Sequence, residues 1–375
     1  MPAPHGSILD VAGVHVGHHQ RTGKGWQTGT TCVFVPDGAT PGVDVRGGGP
    51  GTRETDALRP ENLIEHIHAV CLTGGSAFGL AAADGVMDWL EAAGLGFPVG
   101  PPDARPRPVV PVVPAAVIFD LGRGGRHANR PDATFGNRAI SRATRRRSRW
   151  GSVGAGTGAR AGGFQGGVGT SSRTVHLGAH DAEPAMTVVV GALAVVNAVG
   201  AVADPSSGLP WEAAGWGLRR PPADQRRRLR DLTEARPAAS VLLDPVPRAV
   251  SPTTEGPTLH PSTLNTTIGV VATDAILDKA EVSKLAAVAH DGLARAVRPA
   301  HSMVDGDTVF GLATGNTSLP DQRPPRIEAL NQLLAASADA FADACTHAVL
   351  AATTIGDVPA YRDVCPGAWR DPGAR

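Results

Sequence analysis

The sequence is poor in aromatic residues and carries no net charge. Aromatic residues make up 4% of its 375 residues, with a single Tyr, and 35 Lys and Arg residues are balanced by 35 Asp and Glu residues. A neutral chain gives no electrostatic reason to expect a nucleic-acid or membrane partner. Two local basic runs, at residues 145–147 and 219–230, are expected on solvated loops or helix faces. The 47 Gly and 32 Pro residues indicate many tight turns between Val- and Ala-rich elements.

Cysteines and long apolar runs are also scarce. The four cysteines lie far apart and form no Cys-x-x-Cys pair, which excludes a zinc-ribbon spacing and a dense disulfide framework. We therefore expect reduced, mostly buried thiols. The N-terminus lacks a basic segment followed by an apolar run, and no apolar stretch is long enough to span a bilayer. These absences lead us to expect a cytoplasmic protein.

The most informative stretch covers residues 261–274. Its second half, residues 267–273, is almost entirely β-branched or apolar and shows no alternation, which predicts a strand buried on both faces. The polar pair Asn265-Thr266 stands at the start of this strand. Thr266 is either an ordinary strand residue, since Thr is common in sheets, or a nucleophile that cleavage after Asn265 would release. The rest of the chain must decide between these alternatives.

Apolar periodicity and turn residues predict an α/β succession of strands and helices. The predicted strands cover residues 8–16, 30–35, 69–73, 115–121, 186–196, 267–273 and 308–314. The predicted helices cover residues 61–68, 76–94 and 224–235, a segment that begins at residue 278, and residues 327–349. The last two strands are separated by one helix, so they could lie in one sheet with their N-terminal ends together. This arrangement would place Asp305 and Asp307 close to Thr266.

Four other motifs could mark a functional or closely packed segment. Ser76 follows a strand and a Gly-Gly turn, as in a nucleophile elbow, but Phe78 stands where the second Gly of that motif belongs. Residues 154–159 match a dinucleotide-binding fingerprint, yet no clear strand precedes them. Asn197 ends an apolar strand, where it is either a structural turn residue or a site residue, because an unpaired buried amide is costly. The Gly-rich loop at residues 47–51 must pass close to another part of the chain.

Several sequence blocks occur in a fixed order along the chain. They are Val43-Asp-Val-Arg-Gly-Gly, Pro50-Gly-Thr-Arg-Glu-Thr-Asp, Leu72-Thr-Gly-Gly-Ser-Ala-Phe-Gly-Leu, Val113-Pro-Ala-Ala-Val-Ile-Phe-Asp, Gly154-Ala-Gly-Thr-Gly-Ala, Val196-Asn-Ala-Val-Gly, Asn265-Thr266-Thr-Ile-Gly-Val-Val-Ala-Thr and Asp305-Gly-Asp307-Thr. In this order the blocks resemble the self-processing L-aminopeptidase/D-esterase family, the DmpA-like hydrolases. That family includes β-peptidyl aminopeptidases and nylon-6 oligomer hydrolases. The resemblance covers most of the chain.

The resemblance implies a fold and a processing event. The implied fold is one domain, residues 1–375, built as a four-layer αββα sandwich of the N-terminal-nucleophile-hydrolase type, as in DmpA and ornithine acetyltransferase. The implied event is a single self-cleavage between Asn265 and Thr266, which gives an α chain of residues 1–265 and a β chain of residues 266–375. The family needs no metal or organic cofactor. It also suggests a homo-oligomer, a tetramer, of the cleaved two-chain unit.

The resemblance further implies roles for four residues. Thr266 matches the family nucleophile, Asn197 matches the oxyanion-hole amide, and Asp305 and Asp307 match the polar pair that orients the nucleophile and its amino group. A Thr hydroxyl is a poor nucleophile at neutral pH, whereas a free α-amino group, with an unperturbed pKa of about 7.7 to 8.0, can accept its proton. Only cleavage creates this base. An oxyanion donor such as Asn197 contributes about 10² to 10³ in rate in a comparable case.

The sequence departs from the family at two positions. Gly163 stands where family members commonly have Lys, so one cationic contact near the site is absent or supplied elsewhere. The only Tyr, Tyr361, cannot be matched to the active-site Tyr of some members. The expected function is a self-processing hydrolase of small peptides, amino-acid amides or linear oligoamides, closer to the nylon-oligomer hydrolases than to the Ser-nucleophile aminopeptidases. The alternatives are an aminopeptidase that releases N-terminal residues and an uncleaved, inactive binding protein of the same fold.

Overall fold

The computed structural model describes residues 3–101, 103–146, 148–178, 186–234 and 264–369. The strands are β1 (His15–Gly23), β2 (Trp26–Val45), β3 (Thr52–Arg53), β4 (Ile67–Thr73), β5 (Phe97–Pro98), β6 (Val109–Val110), β7 (Ala115–Val117), β8 (Arg160–Ala161), β9 (Phe164–Gln165), β10 (Gly167–Leu177), β11 (Met186–Asn197), β12 (Thr266–Ala275) and β13 (Thr308–Thr317). The helices are α1 (Ala82–Ala92), α2 (Ala133–Ile140), α3 (Ala223–Glu234), α4 (Lys279–Ala296), α5 (Arg323–Ala351) and α6 (Tyr361–Val364).

The 20-residue strand β2 belongs to two sheets. Its first part pairs with β1 and β4, and β7 and β3 follow β4 in what we call sheet A. Its last part pairs with β13, and β12, β11 and β10 follow in what we call sheet B. The register of β2 shifts between Phe34 and Ala39, where the strand passes from one sheet to the other. One continuous strand therefore fixes the two sheets relative to each other.

Three apolar interfaces define the layers. Between the sheets, side chains of sheet A such as Val33 and Leu72 join side chains of sheet B such as Ile268 and Phe310. Behind sheet B, the other faces of β11 and β12 pack against α4 and α5. Behind sheet A, buried residues of β2, β4 and β7 pack against α1 and α2. The order helices, sheet A, sheet B, helices is the expected αββα sandwich, so the predicted fold class is confirmed.

Strand β12 is buried on both faces, as its sequence predicts. Ile268, Val270 and Ala272 belong to the interface between the sheets, whereas Val271 and Ala275 belong to the interface with α4 and α5. Burying a Val or Ile side chain contributes about 1.5 to 3 kcal/mol relative to leaving it exposed. Because both faces contribute, the strand needs no polar side, which explains why its sequence does not alternate.

Two predicted elements are wrong. The predicted strand at residues 8–16 is a one-turn 3₁₀ helix at Ile8–Asp10, and strand β1 begins only at His15. Ser7 caps this turn by accepting a hydrogen bond from the amide of Leu9, and such local bonding competes with strand formation. The predicted helix at residues 61–68 is irregular up to residue 66, and β4 begins at Ile67. Leu63 is 73% exposed and only Ile64 of this segment packs against the core, so residues 61–66 have no continuous apolar face to bury.

The helices that close the chain are confirmed. Asp278 caps α4 through a capping box in which its side chain accepts a hydrogen bond from the amide of Glu281, while the Glu281 side chain accepts one from the amide of Asp278. Helix α5 is the one helix among the described residues that is long and apolar enough to cross a bilayer. However, 83% of its most apolar window is buried inside the protein, which is typical of a core helix.

The remaining predictions concern the cysteines and the two basic runs, and some of the residues involved lie outside the described part of the chain. All four cysteines are buried and free, as expected. Arg145 and Arg146 are exposed, and so are Arg227, Arg228 and Arg230 of α3, as predicted, whereas Arg226 is half-buried and donates to the carbonyl of Ser206. Residues 147 and 235–263 lie outside the described part of the chain, and with them the end of the predicted helix at 224–235 and the start of the stretch at 261–274.

Candidate active site

Strand pairing places Thr266 between Asn197 and the acidic loop before β13. In the antiparallel pair of β11 and β12, Asn197 lies directly opposite Thr266. In the parallel pair of β12 and β13, Ile268 lies opposite Thr308, and a bridge joins Asn265 to Asp305. The prediction that the two strands start at the same edge of one sheet is therefore correct.

The Thr266 hydroxyl lies against the peptide bond that precedes it. Thr266 Oγ1 donates a hydrogen bond to the carbonyl oxygen of Asn265. The amide N–H of Gly306 lies 3.2 Å from that carbonyl oxygen and also 3.2 Å from Thr266 Oγ1. Thr266 is only 5% exposed, so these contacts lie in an environment from which water is largely excluded. A backbone donor thus already faces the oxygen on which negative charge would develop if this carbonyl were attacked.

Two buried carboxyl groups belong to the loop whose Gly306 amide donates to the hydroxyl. Asp307 Oδ1 accepts a hydrogen bond of 2.7 Å from the amide of Thr267, and its Oδ2 lies 2.9 Å from both the amide nitrogen and Nδ1 of His301. Asp305 Oδ2 accepts hydrogen bonds from the amide and the hydroxyl of Ser302. Burial, and then the neighbouring Asp307, raise the pKa of Asp305 above its ordinary value. The pair is therefore held in one geometry by the loop that contains it.

The Gly-rich loop at residues 47–49 covers this acidic loop. The amide of Gly47 donates to the carbonyl of Asp307, and the amide of Gly49 donates to the carbonyl of Asp305 at 2.8 Å. The two loops pack closely here, since a Cβ atom on Gly47 would lie 2.3 Å from the amide nitrogen of Asp307, and one on Gly306 would lie 2.7 Å from the Gly49 carbonyl oxygen and 2.9 Å from Thr266 Oγ1. The expectation that the Gly-rich loop passes close to another segment is confirmed, and that segment carries the candidate catalytic acids.

On the other side of the Asn265–Thr266 peptide bond, Arg123 contacts the residues that precede the bond. Its Nη1 lies 2.9 Å from Asn197 Oδ1 and 3.1 Å from Asn265 Oδ1, and its Nη2 donates to the carbonyl oxygen of Leu264. The Arg160 amide donates a second hydrogen bond, of 2.9 Å, to Asn197 Oδ1. Two donors therefore fix the orientation of the Asn197 amide, and its Nδ2 faces the carbonyl of Phe119 at 3.3 Å.

A cavity of about 230 Å³ opens beside this peptide bond. Its lining residues are Gly49, Pro50, Gly51, Ser76, Ala77, Val117, Phe119, Leu264, Asn265, Thr266, Met303 and Val304. The walls are mainly apolar, and the polar groups are concentrated at Ser76 and at the peptide bond itself. Met303 is 81% exposed and stands at the rim. The cavity suits a small or linear molecule with an apolar chain and one amide to be cleaved.

The two alternative motifs occupy different positions. Ser76 lines the same cavity and has a left-handed backbone with φ of 51°, but in the described part of the chain no hydrogen bond joins its hydroxyl to a base. Gly154–Gly156 is a buried 3₁₀ turn, and a Cβ atom on Gly156 would meet the backbone of Gly167 at 2.6 Å. These glycines permit close packing against β10, and the turn has neither the strand before it nor the exposed helix N-terminus that a dinucleotide site requires.

Three site residues were missed by sequence reasoning. Arg123 lies in a polar, Gly-rich segment whose composition is typical of a surface loop, yet it is only 3% exposed. Gly306 contributes through its backbone amide, which every residue type except Pro carries, so its identity does not mark it as a donor. His301 is four residues before Asp305, has a left-handed φ of 58° and contacts Asp307. Of these three residues, only His301 could have been suspected from the sequence, because it is a polar residue in the loop that carries both acids.

Comparison with known proteins identifies the family. The model of peptidase family S58 matches residues 6–360. The chain belongs to peptidase family S58. An uncharacterized aminopeptidase of Mycobacterium tuberculosis is 44% identical over 97% of this chain and 99% of its own length. A 6-aminohexanoate-oligomer endohydrolase of Kocuria is 30% identical over 83% of this chain and 76% of its own length.

The fold comparison agrees with this assignment. The L-aminopeptidase D-Ala-esterase/amidase of Ochrobactrum anthropi, described as a variant of the Ntn hydrolase fold, superposes with a TM-score of 0.65 at 20% identity. The match covers 96% of this chain and 90% of that structure. The chain is thus a peptidase S58 protein with an Ntn-hydrolase-type fold, and the expectation of a hydrolase acting on peptide or amide bonds is confirmed.

The structure also locates the two positions at which this S58 chain departs from the pattern. Gly163 lies in the turn between β8 and β9 with φ of 91°, where a Cβ atom would lie 2.8 Å from the carbonyl oxygen of Leu232. A cation is nevertheless present at the site, because the Arg123 guanidinium contacts Asn197. Tyr361 is buried in the core, where its hydroxyl donates to the carbonyl of Gly208. Tyr361 is therefore a core residue.

Proposed function

We propose that this S58 peptidase processes itself at the Asn265–Thr266 bond and then hydrolyses amide bonds through Thr266. The observation that carries the proposal is the contact of Thr266 Oγ1 with the Asn265 carbonyl, next to the Gly306 amide that donates to both oxygens. A hydroxyl, the preceding carbonyl and a donor for the developing charge are the groups that an acyl shift from nitrogen to oxygen needs.

In the proposed self-processing step, Thr266 Oγ1 attacks the carbonyl carbon of Asn265. A C–O bond forms, the C–N bond to Thr266 breaks, and the hydroxyl proton passes to the Thr266 nitrogen. Water then hydrolyses the ester, which gives the Asn265 carboxylate and a free Thr266 with its α-amino group. The two chains would comprise residues 1–265 and 266–375.

In the proposed catalytic cycle, the α-amino group of Thr266 accepts the hydroxyl proton while Oγ1 attacks the substrate amide. Asp305 and Asp307 hold the amino group and the start of β12 in place. Asn197 Nδ2 and the Gly306 amide are the proposed oxyanion donors, because Asn197 lies opposite Thr266 and its Oδ1 is already occupied. The amine leaves with the proton, and water releases the acyl group from Thr266.

The cavity supports small peptides, amino-acid amides or linear oligoamides as substrates, because its walls are mainly apolar and the Asn265–Thr266 peptide bond lines it. The Kocuria relative, by its name, acts on 6-aminohexanoate oligomers, which are linear oligoamides. The Mycobacterium tuberculosis relative favours a second candidate, an aminopeptidase that releases N-terminal residues. Comparison of an N-blocked oligoamide with free aminoacyl amides separates these two activities.

The processing step is tested on the purified protein by denaturing gel, intact mass and N-terminal sequencing. We expect two fragments, with Thr266 at the second N-terminus. One persistent full-length chain would rule out self-processing and favour the alternative of an uncleaved, inactive binding protein. We further propose a cytoplasmic homo-oligomer, a tetramer, of cleaved units. Light scattering after size exclusion measures the oligomeric state.

A further inference from the structure

The precursor shows how the site holds the residues on the acyl side of the bond to be cleaved. Thr266 attacks the Asn265 carbonyl, so Asn265 occupies the position that the acyl residue of a later substrate must take. The Leu264 carbonyl then belongs to the group attached to the amino nitrogen of that acyl residue. Arg123 Nη2 donates to this Leu264 carbonyl, and Arg123 Nη1 lies 3.1 Å from the Asn265 side-chain oxygen.

Arg123 is held so that it points at this position. It is 3% exposed, its guanidinium lies 5.3 Å from the Phe119 ring centroid, and its Nη1 also contacts Asn197 Oδ1 at 2.9 Å. Phe119 lines the cavity and Asn197 faces Thr266 across the strand pair. The guanidinium is therefore anchored to Asn197 of β11, the strand that pairs with β12. Its Nη2 faces the acyl side of the Asn265–Thr266 bond.

From these contacts, and resting on the proposed function, we propose that Arg123 is a specificity-determining residue that binds a carbonyl oxygen one residue before the scissile amide. The preferred substrates are then compounds whose acyl residue is itself N-acylated, that is, internal amides of an oligoamide or N-blocked amides. A substrate with a free amine at this position lacks the acceptor and places an ammonium group next to a guanidinium. Repulsion between these like charges disfavours binding.

The test uses the processed wild-type enzyme and three p-nitroanilides built on the residue that the precursor presents. They are N-acetyl-asparagine p-nitroanilide, asparagine p-nitroanilide with a free amine, and succinamoyl p-nitroanilide, which lacks both the amine and the acetyl carbonyl. We expect kcat/KM to be highest for the acetylated compound, by about 10- to 100-fold over the free amine, the range for a hydrogen bond from a charged donor. The succinamoyl compound should lie between the two.

Variants assign the effect to Arg123. Arg123→Gln should lower kcat/KM for the acetylated compound and bring the ratio between acetylated and free-amine compounds close to one, and Arg123→Lys should restore part of the ratio. A general structural defect would lower both values and leave the ratio unchanged. Arg126→Gln, an exposed position three residues further along the chain, is the matched control and should keep the wild-type ratio.

The outcomes separate failure of this inference from failure of the proposed function. Equal or greater kcat/KM for the free amine in the wild type overturns the inference, and so does a succinamoyl compound as good as the acetylated one. An unchanged ratio in Arg123→Gln also overturns it. Absence of self-cleavage, with no hydrolysis of any of the three compounds by the wild type, would instead overturn the proposed function.

Discussion

The two sides of the Asn265–Thr266 peptide bond are held by different kinds of structure. On the amine side, the contacts come from the seven-residue loop 301–307, in which His301 and Ser302 bind the two acids and Gly306 donates to the hydroxyl. On the acyl side, the same loop binds the Asn265 backbone through Val304 and Gly306, but the side-chain contacts come from Arg123, which is bound to Asn197 and is distant from both residues in sequence. The side-chain contacts are thus local on the amine side, where we propose that they activate a nucleophile, and depend on packing between remote segments on the acyl side, where we propose that they select a substrate.

The largest effect is expected from removal of the Thr266 hydroxyl. Thr266→Ala should leave a single uncut chain without hydrolytic activity, because the hydroxyl that attacks the carbonyl is missing. Thr266→Ser keeps a hydroxyl and, after cleavage, an α-amino base, so this control should still process itself. Intact mass and initial rates measure both properties. Normal processing of Thr266→Ala would eliminate Thr266 as the nucleophile.

The next largest effect is expected on the acyl side. Asn197→Ala removes a proposed oxyanion donor and should lower kcat by about 10² to 10³. KM should change less, because the donor acts mainly on the transition state. Asn316→Ala, at the exposed end of β13, is the control and should behave like the wild type. An unchanged kcat in Asn197→Ala would mean that this residue has only a structural role.

A smaller effect is expected from disturbing the amine side. The Cβ atom of Gly306→Ala would lie 2.9 Å from Thr266 Oγ1 and 2.7 Å from the Gly49 carbonyl oxygen, so the acidic loop or the Gly-rich loop must shift. We expect the rate of processing to fall about tenfold, since a displacement of 1 Å can cost about 10²-fold. Gly49→Ala adds the same methyl group with an ordinary contact of 3.6 Å and should have a weaker effect. Equal processing rates in the two variants would contradict this account.

The smallest effect on activity is expected at Asp120, a buried acid near Arg123, whose ionisation changes the stability of the protein. Burial raises the pKa of Asp120 to about 6, although the Gly75 amide donates to it at 2.7 Å. Its ionisation is therefore less favourable in the folded protein, and this contribution to stability is lost as pH rises from about 4 to about 6. Asp120→Asn should remove that dependence, so the unfolding free energies of the two proteins should diverge by about 3 kcal/mol across this window.

Denaturant unfolding at several pH values measures the difference. Buried His18, His290 and His347, whose pKa values burial lowers to about 4, act in the opposite direction, because stability that depends on them is lost as pH falls below about 6.5. Their contribution is common to both proteins and cancels in the comparison. A pH-independent difference between Asp120→Asn and the wild type would show that this carboxyl does not titrate as described.

Part of the site could be predicted because its residues leave local patterns. The unbroken apolar run after Thr266 requires burial on both faces, and the single helix between β12 and β13 allows the parallel pairing that brings Asp305 and Asp307 to the same sheet edge. Arg123 could not be predicted in this way. Its hydrogen bonds to Asn197 and Asn265 join residues 74 and 142 positions apart, and an Arg in a polar Gly-rich segment is normally exposed.

The sequence by itself determined the succession of strands and helices through its apolar patterns, and the family through the order of its motifs; the αββα layers and the likeness of Asn265-Thr266 to a self-cleavage site followed from that resemblance. Only the tertiary structure decided which groups surround that peptide bond. The Gly306 amide and the Arg123 guanidinium face it because two sheets share β2 and a Gly-rich loop packs on the acidic loop. Such contacts depend on distances between remote segments, which no local pattern of residues records.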